Sequence, residues 1–88
     1  SFADNADERV VQAGPFDRDL FERLRRLRAE IAAEEGLAPF VIFHDRTLRS
    51  IATVRPDSVQ ALEEIPGIGS VKIERYGRQV LKVINQEP

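Results

Sequence analysis

Leu20, Leu24, Leu27 and Ile31 recur at spacings of four, three and four, which places four large apolar side chains on one stripe of a helix. No other feature constrains the fold as much, because such a stripe is stable only where a second element covers it. Phe21 and Ala32 widen it. Asp17 and Asp19 sit at the positive end of the helix dipole, and Asp19–Arg23, Glu22–Arg26 and Arg26–Glu30 are spaced i,i+4. Gly36, with Pro39 following, supplies the stop. The spacing predicts a helix from 16 to about 35.

The material available to cover that stripe is limited. At 88 residues and 10.0 kDa the chain has room for one small core. A domain of this size buries only ~60–65% of its unfolded surface, which argues against an enclosed cleft for multistep chemistry. Hydrophobic residues at 42% and charged residues at 32% form an ordinary globular mixture. The absence of cysteine excludes a disulfide framework, a zinc knuckle and a thiol nucleophile. The chain reads neither as membrane-spanning nor as carrying a secretory signal, and its start at Ser1 reads as a piece of something longer.

Residues 1–15 are small and acidic with little periodicity, and read as a linker or flexible arm whose Val10 and Val11 are available to dock. The domain proper is assigned to 16–88. Residues 37–43 form the most hydrophobic stretch, but no second strand-like run exists to pair with it, so a buried loop or a single turn is expected. Asp45 is read as the cap of a helix over 46–54, with Leu48, Ile51, Ala52 and Val54 inward and Pro56 as its end. Asp57 or Ser58 caps a third helix with Val59, Leu62 and Ile65 on its apolar side, and Asp57 with Gln60 resembles a capping box. A last helical region runs from 70 to about 85, with Val71, Ile73, Val80, Leu81 and Ile84 apolar and Gly77 expected to kink or break it. The pattern predicts an all-α fold of four or five helices, without internal repeats.

Thirteen Lys and Arg against fifteen Asp and Glu give a net charge of −2. Asp4, Asp7, Glu8 and Arg9 account for it, leaving twelve of each sign in 16–88. Arg23, Arg25, Arg26 and Arg28 crowd the first helix and Glu30, Glu34 and Glu35 follow, so the domain is dipolar rather than basic. Eleven of the thirteen cations are arginine, which suits planar contacts to phosphate or carboxylate. Nonspecific polyanion binding is expected to be weak at physiological salt.

Leu62, Ile65 and Pro66-Gly67-Ile68-Gly69-Ser70, followed by Lys72 and Ile73, have the layout of a helix-hairpin-helix. Such a turn aims free N–H groups outward from a helix N-terminus, where they can hold a phosphate oxygen, and Lys72 adds a point charge. The alternative is a compact αα-turn with Ile68 plugged into the core.

With this motif in place, the chain resembles the HRDC domain, the helical module at the C-terminus of RecQ-family DNA helicases and of ribonuclease D. The resemblance runs from about 16 to 84. Its landmarks are Leu20-Phe21 with Leu24-Arg25 and Leu27-Arg28, then Pro39-Phe40-Val41-Ile42-Phe43 with Asp45 and Thr47-Leu48. Ile65, Gly67-Ile68-Gly69 and Lys72-Ile73-Glu74-Arg75-Tyr76-Gly77 complete them, the last four looking more like the RecQ branch. The resemblance implies a compact five-helix bundle with no catalytic residues, no metal and no cofactor. It implies an accessory module that binds DNA, often single-stranded and weakly, or tunes the helicase core through contacts within the same chain. A monomer is expected, located in the cytoplasm at the nucleoid if the parent is bacterial. Phe40 matches a loop aromatic that in the family can lie on the DNA-contacting face, where its ring can stack a base. Its apolar neighbours favour a core position instead. Lys72 matches a basic position after the hairpin formed by Gly67, Gly69 and Ser70, and Arg25, Arg26, Arg46 and Arg49 are candidates for a basic patch. Val71, Ala29 and Glu30 replace basic positions of some relatives, and Glu34 and Glu35 place negative charge near the loop, which blunts the electrostatic footprint.

His44 beside Asp45 lacks a nucleophile or second base and reads as a loop residue near a cap. Glu34-Glu35 and Glu63-Glu64 point about 100° apart on a helix and read as solvated faces. Tyr76 reads as an aromatic at the core edge, and the arginine run as a solvated face braced by carboxylates. Two functional readings stand: a weak DNA-binding module, and a purely protein-interaction module that docks through Glu30, Glu34, Glu35, Glu63 and Glu64. An enzyme ranks third, and the HRDC domain of a ribonuclease D-like nuclease is the alternative parent.

Overall fold

Asp17 sets the start of the first helix: its extended backbone leaves Oδ1 free to accept from the Leu20 amide at 2.9 Å. From there the computed structural model, which describes residues 16–86, continues as five α-helices with no strand among them. They are α1 (Arg18–Glu35), α2 (Pro39–Ile42), α3 (Asp45–Val54), α4 (Val59–Glu63) and α5 (Ser70–Asn85). The proposed arm at 1–15, with Val10 and Val11, lies outside the described residues.

The apolar stripe of α1 is the centre of the core. Leu20 and Leu24 are fully buried, Ile31 and Ala32 nearly so, and Leu27 packs at the margin. This stripe is covered by α2, α3 and α5, while α4 packs on α5. α1 stops at Gly36, whose left-handed backbone (φ 68) returns its N–H to the Ala32 carbonyl. α3 ends differently, on Arg55 at φ 52, a rare conformation for a residue with a Cβ. The Arg55 guanidinium pairs with Asp17, and the Asp17 amide donates to the Ala52 carbonyl at 3.4 Å, so the end of α3 is tied to the start of α1.

Several local expectations change. α3 begins at Asp45 itself, after His44 in the N-cap position, and no side chain caps it. Asp45 does not act as the cap because its carboxylate pairs with Arg28 at 2.7 Å. Ser58, not Asp57, caps α4, its Oγ accepting from the Ala61 amide at 3.1 Å, so the Asp57–Gln60 capping box is not formed. Val54 and Val59 lie at the ends of short helices, beyond the reach of the core, and are exposed, as is Val71. α5 runs unbroken through Gly77, where an added Cβ would stand 3.7 Å from Leu62 and 3.5 Å from Ile73. Gly77 therefore marks where α4 lies close against α5 rather than a break.

Candidate nucleic-acid interface

The hydrophobic stretch at 37–43 divides between two environments. Pro39 opens the single turn of α2, Ile42 and Phe43 turn inward to 1% and 2% exposure, and Leu37, Phe40 and Val41 stay outside. Phe40 is 60% exposed, which overturns its core reading. A four-residue helix has one inward face, and Ile42 takes it. The Phe40 ring stacks on His44, with centroids 6.3 Å apart and planes at 27°.

Phe43 anchors the turn from beneath. Its ring meets Tyr76 edge-on at 5.8 Å, and the Lys72 ammonium lies 5.6 Å from its centroid. Tyr76 in turn donates its hydroxyl to a Glu35 carboxylate oxygen at 2.8 Å. That hydrogen bond first, and burial second, hold the Tyr76 phenol above its ordinary value of 10.0. From α1, Arg28 reaches the same turn: its Nη1 donates to the Phe43 carbonyl at 2.9 Å and pairs with Asp45.

The hairpin has both of the features considered for it. Ile68 plugs the core at 7% exposure, as a compact αα-turn requires. Gly67 adopts φ 93, and a Cβ there would fall 2.5 Å from the Thr47 hydroxyl, so only glycine lets the hairpin close onto α3. Gly69 is the N-cap of α5 and provides no side-chain cap, leaving first-turn amides of Ser70, Val71 and Lys72 without intrahelical acceptors. The N-termini of α1 and α4 are closed by Asp17 and Ser58, whereas those of α3 and α5 have no side-chain cap. His44, Arg46, Arg49 and Gly67 line one cleft of about 580 Å³ between α3 and the hairpin.

A family model for the HRDC domain matches residues 17–84. The chain belongs to the HRDC family. This HRDC domain is similar to the ATP-dependent DNA helicase RecQ of Haemophilus influenzae, at 41% identity over 71 residues covering 81% of this chain and 12% of that protein. It is also similar to the RecQ helicase of Bacillus subtilis, at 47% identity over 66 residues covering 75% of this chain and 11% of that protein. Among solved structures it matches Deinococcus radiodurans RecQ HRDC domain 3, with a TM-score of 0.76 and 43% identity over 77% of this chain and 90% of the other. The chain thus spans about a tenth of the length of the curated relatives named here.

Within the HRDC fold, the structure gathers Phe40, His44, Arg46, Arg49, Gly67 and Lys72 around α2, the start of α3 and the hairpin. Arg25 and Arg26 are exposed on α1, where Arg25 binds Glu22 at 3.1 Å in place of the expected Glu22–Arg26 pair. Asp19–Arg23 forms at 3.1 Å. Two of the four crowded arginines are structural rather than solvated. Arg23 donates to the Val83 and Gln86 carbonyls at the end of α5, and Arg28 is 9% exposed in the clamp on the α2 turn. Of the acidic residues, Glu30, Glu34, Glu63 and Glu64 are exposed without an ion pair among the described residues, whereas Glu35 is engaged by Tyr76. No group of three His, Cys, Asp or Glu is placed to hold a metal among the described residues, and no described helix is long and apolar enough to cross a membrane.

His44 and Arg28 are the residues that sequence reasoning passed over. His44 has no catalytic partner in the sequence, and its stacking on Phe40 depends on the extended backbone of Phe43 and His44 between the two helices, which no local spacing announces. Arg28 carried no distinguishing signal within its run, since its role depends on where Phe43 and Asp45 fall in space.

Proposed function

We propose that this HRDC domain is a non-catalytic accessory module of a RecQ-type DNA helicase, and that it contacts single-stranded DNA weakly through the α2 turn and the hairpin. The observation that carries this reading is Phe40: a ring 60% exposed, held out by a turn that Arg28 and Phe43 fix from behind. A base stacking on that face gains roughly 1–3 kcal/mol irrespective of sequence. Arg46, Arg49 and Lys72 then supply phosphate contacts, beside the uncapped amides of α3 and α5. With charges balanced across 16–88, affinity is expected to be low and salt-sensitive. The similarity to RecQ helicases supports a DNA-processing parent whose core this module tunes, working in the cytoplasm if the parent is bacterial.

Anisotropy of a labelled single-stranded oligonucleotide, titrated with the chain at low and moderate salt, tests the reading. Micromolar binding that weakens steeply with salt is expected, with Phe40→Ala and Lys72→Ala each weaker than wild type. No binding by a folded helical sample at low salt overturns it.

A second reading has its own observation. Val54, Ala61, Ile65 and Pro66 line an apolar groove of about 540 Å³ between α3 and α4, with Glu64 on its wall. A protein-docking module uses this groove, in which Glu64 is the one acidic lining residue among the described residues. In that case deleting the domain alters the parent helicase's ATPase or DNA affinity although the isolated domain binds no DNA.

A further inference from the structure

Pro39, at the first position of α2, closes a second cleft of about 330 Å³ whose other wall is α1. Three of its six lining residues are Arg25, Arg26 and Arg28, and a fourth is Glu22. The three guanidinium groups are engaged differently. Arg28 bonds the Phe43 carbonyl and Asp45 through Nη1, while its Nε–H is buried without a partner. Arg26 is exposed and has no carboxylate partner among the described residues. Arg25 is held by Glu22 at 3.1 Å, with both side chains about half exposed. An exposed pair of this kind contributes only ~0.2–1 kcal/mol, so an incoming anion with several oxygens can displace the carboxylate.

We infer that this cleft is a phosphodiester subsite and that Glu22 is its internal competitor. The inference rests on the DNA-contacting reading above and extends the strand's path. His44, just past the end of α2, lines the cleft at the hairpin, and Pro39, at the start of α2, lines the arginine cleft. Phe40 lies between them in the chain and stacks on His44. A nucleotide whose base covers Phe40 carries a phosphate on each side, and each phosphate then has its own arginine-lined cleft. This arrangement suits a single strand, whose bases are free to stack, and not a duplex. Glu22 keeps the occupancy low by neutralising Arg25 until a phosphate replaces it.

The test titrates the full chain with a labelled oligothymidylate across a salt series. Glu22→Gln frees Arg25 and is expected to tighten binding about two- to fivefold at low salt. Arg26→Ala is expected to weaken binding and to lower the slope of log affinity against log salt by about 0.7. The tightening must vanish when Glu22→Gln is placed on an Arg25→Ala background. The Arg25→Ala background separates release of Arg25 from the general gain that removal of one negative charge brings. Unchanged or weaker binding by Glu22→Gln, in a protein whose binding still requires Phe40, overturns the subsite and leaves the broader reading intact. Absence of binding by wild type and Glu22→Gln alike overturns both. Tightening toward a glutamate-rich peptide but not toward the oligonucleotide overturns the subsite in favour of an acidic protein ligand.

Discussion

The α2 turn at 37–44 and the hairpin at 64–70 are both short, proline-containing and apolar, yet they direct their apolar residues in opposite ways. Ile68 goes into the core at 7% exposure, and Phe40 stays out at 60%. The hairpin is fixed by close backbone approach, with Gly67 at φ 93 set directly against Thr47 of α3. The turn is fixed from behind by another element, through Arg28 on Phe43 and Asp45, and its outer face is left bare. Keeping a phenylalanine in water forgoes about 1.5–3 kcal/mol of burial. A scaffold needs the first arrangement, and a surface built to meet a ligand needs the second.

The contrast breaks most readily at the hairpin. Ile68→Ala is expected to lower stability by about 2–5 kcal/mol in chemical denaturation, since it empties a plug that the surrounding helices cannot fill. Gly67→Ala comes next, at roughly 2–4 kcal/mol, because it combines a left-handed backbone with an overlap on Thr47. Gly36→Ala is its control: φ is 68 but nothing lies within 4 Å, so about 1 kcal/mol is expected. Equal losses at the two glycines would show that the hairpin does not close onto α3 as described.

Beneath the turn the effects are smaller. Tyr76→Phe removes the hydrogen bond to Glu35 and is expected to lose about 1 kcal/mol at neutral pH. The folded state holds the phenolic proton more tightly than the unfolded chain does. Its contribution is therefore complete below the ordinary value of 10.0 and is lost as pH rises through the raised folded value. Melting curves of wild type and Tyr76→Phe are expected to begin converging above pH 10 and to meet once pH has passed the raised folded value. A gap that persists past that value would place the stabilisation elsewhere. Smallest of all, Phe40→Ala is expected to shift stability by no more than about 0.5 kcal/mol, because its ring is already in water. A large loss of melting temperature in Phe40→Ala would return that ring to a structural role.

The helices were legible because their signals are local. The stripe from Leu20 to Ile31, the stop at Gly36 and the Gly-x-Gly hairpin each depend on residues within a few positions of one another. The errors fall where a distant partner decides. Asp45 looks like a cap until Arg28, seventeen positions away, takes its carboxylate. Gly77 looks like a break until Leu62 is seen against it. Phe40 and Phe43 have the same type and nearly the same neighbours in sequence, and the contacts of Tyr76 and Lys72, distant in the chain, mark the buried ring. The candidate site was legible as a set of residues, but the placing of its arginines in two separate clefts was not, because Arg28 and Arg49 cannot be told from their neighbours by spacing.

The central claim is that the α2 turn, and not the groove between α3 and α4, is the face that meets a ligand. Backbone amide chemical-shift mapping of the labelled chain against a short single-stranded oligonucleotide tests it most directly. The account predicts that the largest shifts fall on 37–44, on Arg46 and Arg49, and on 67–72, with the amides around Val54 and Ala61 unmoved. Shifts centred on Val54, Ala61 and Glu64, or no shifts from a folded sample at low salt, would contradict it.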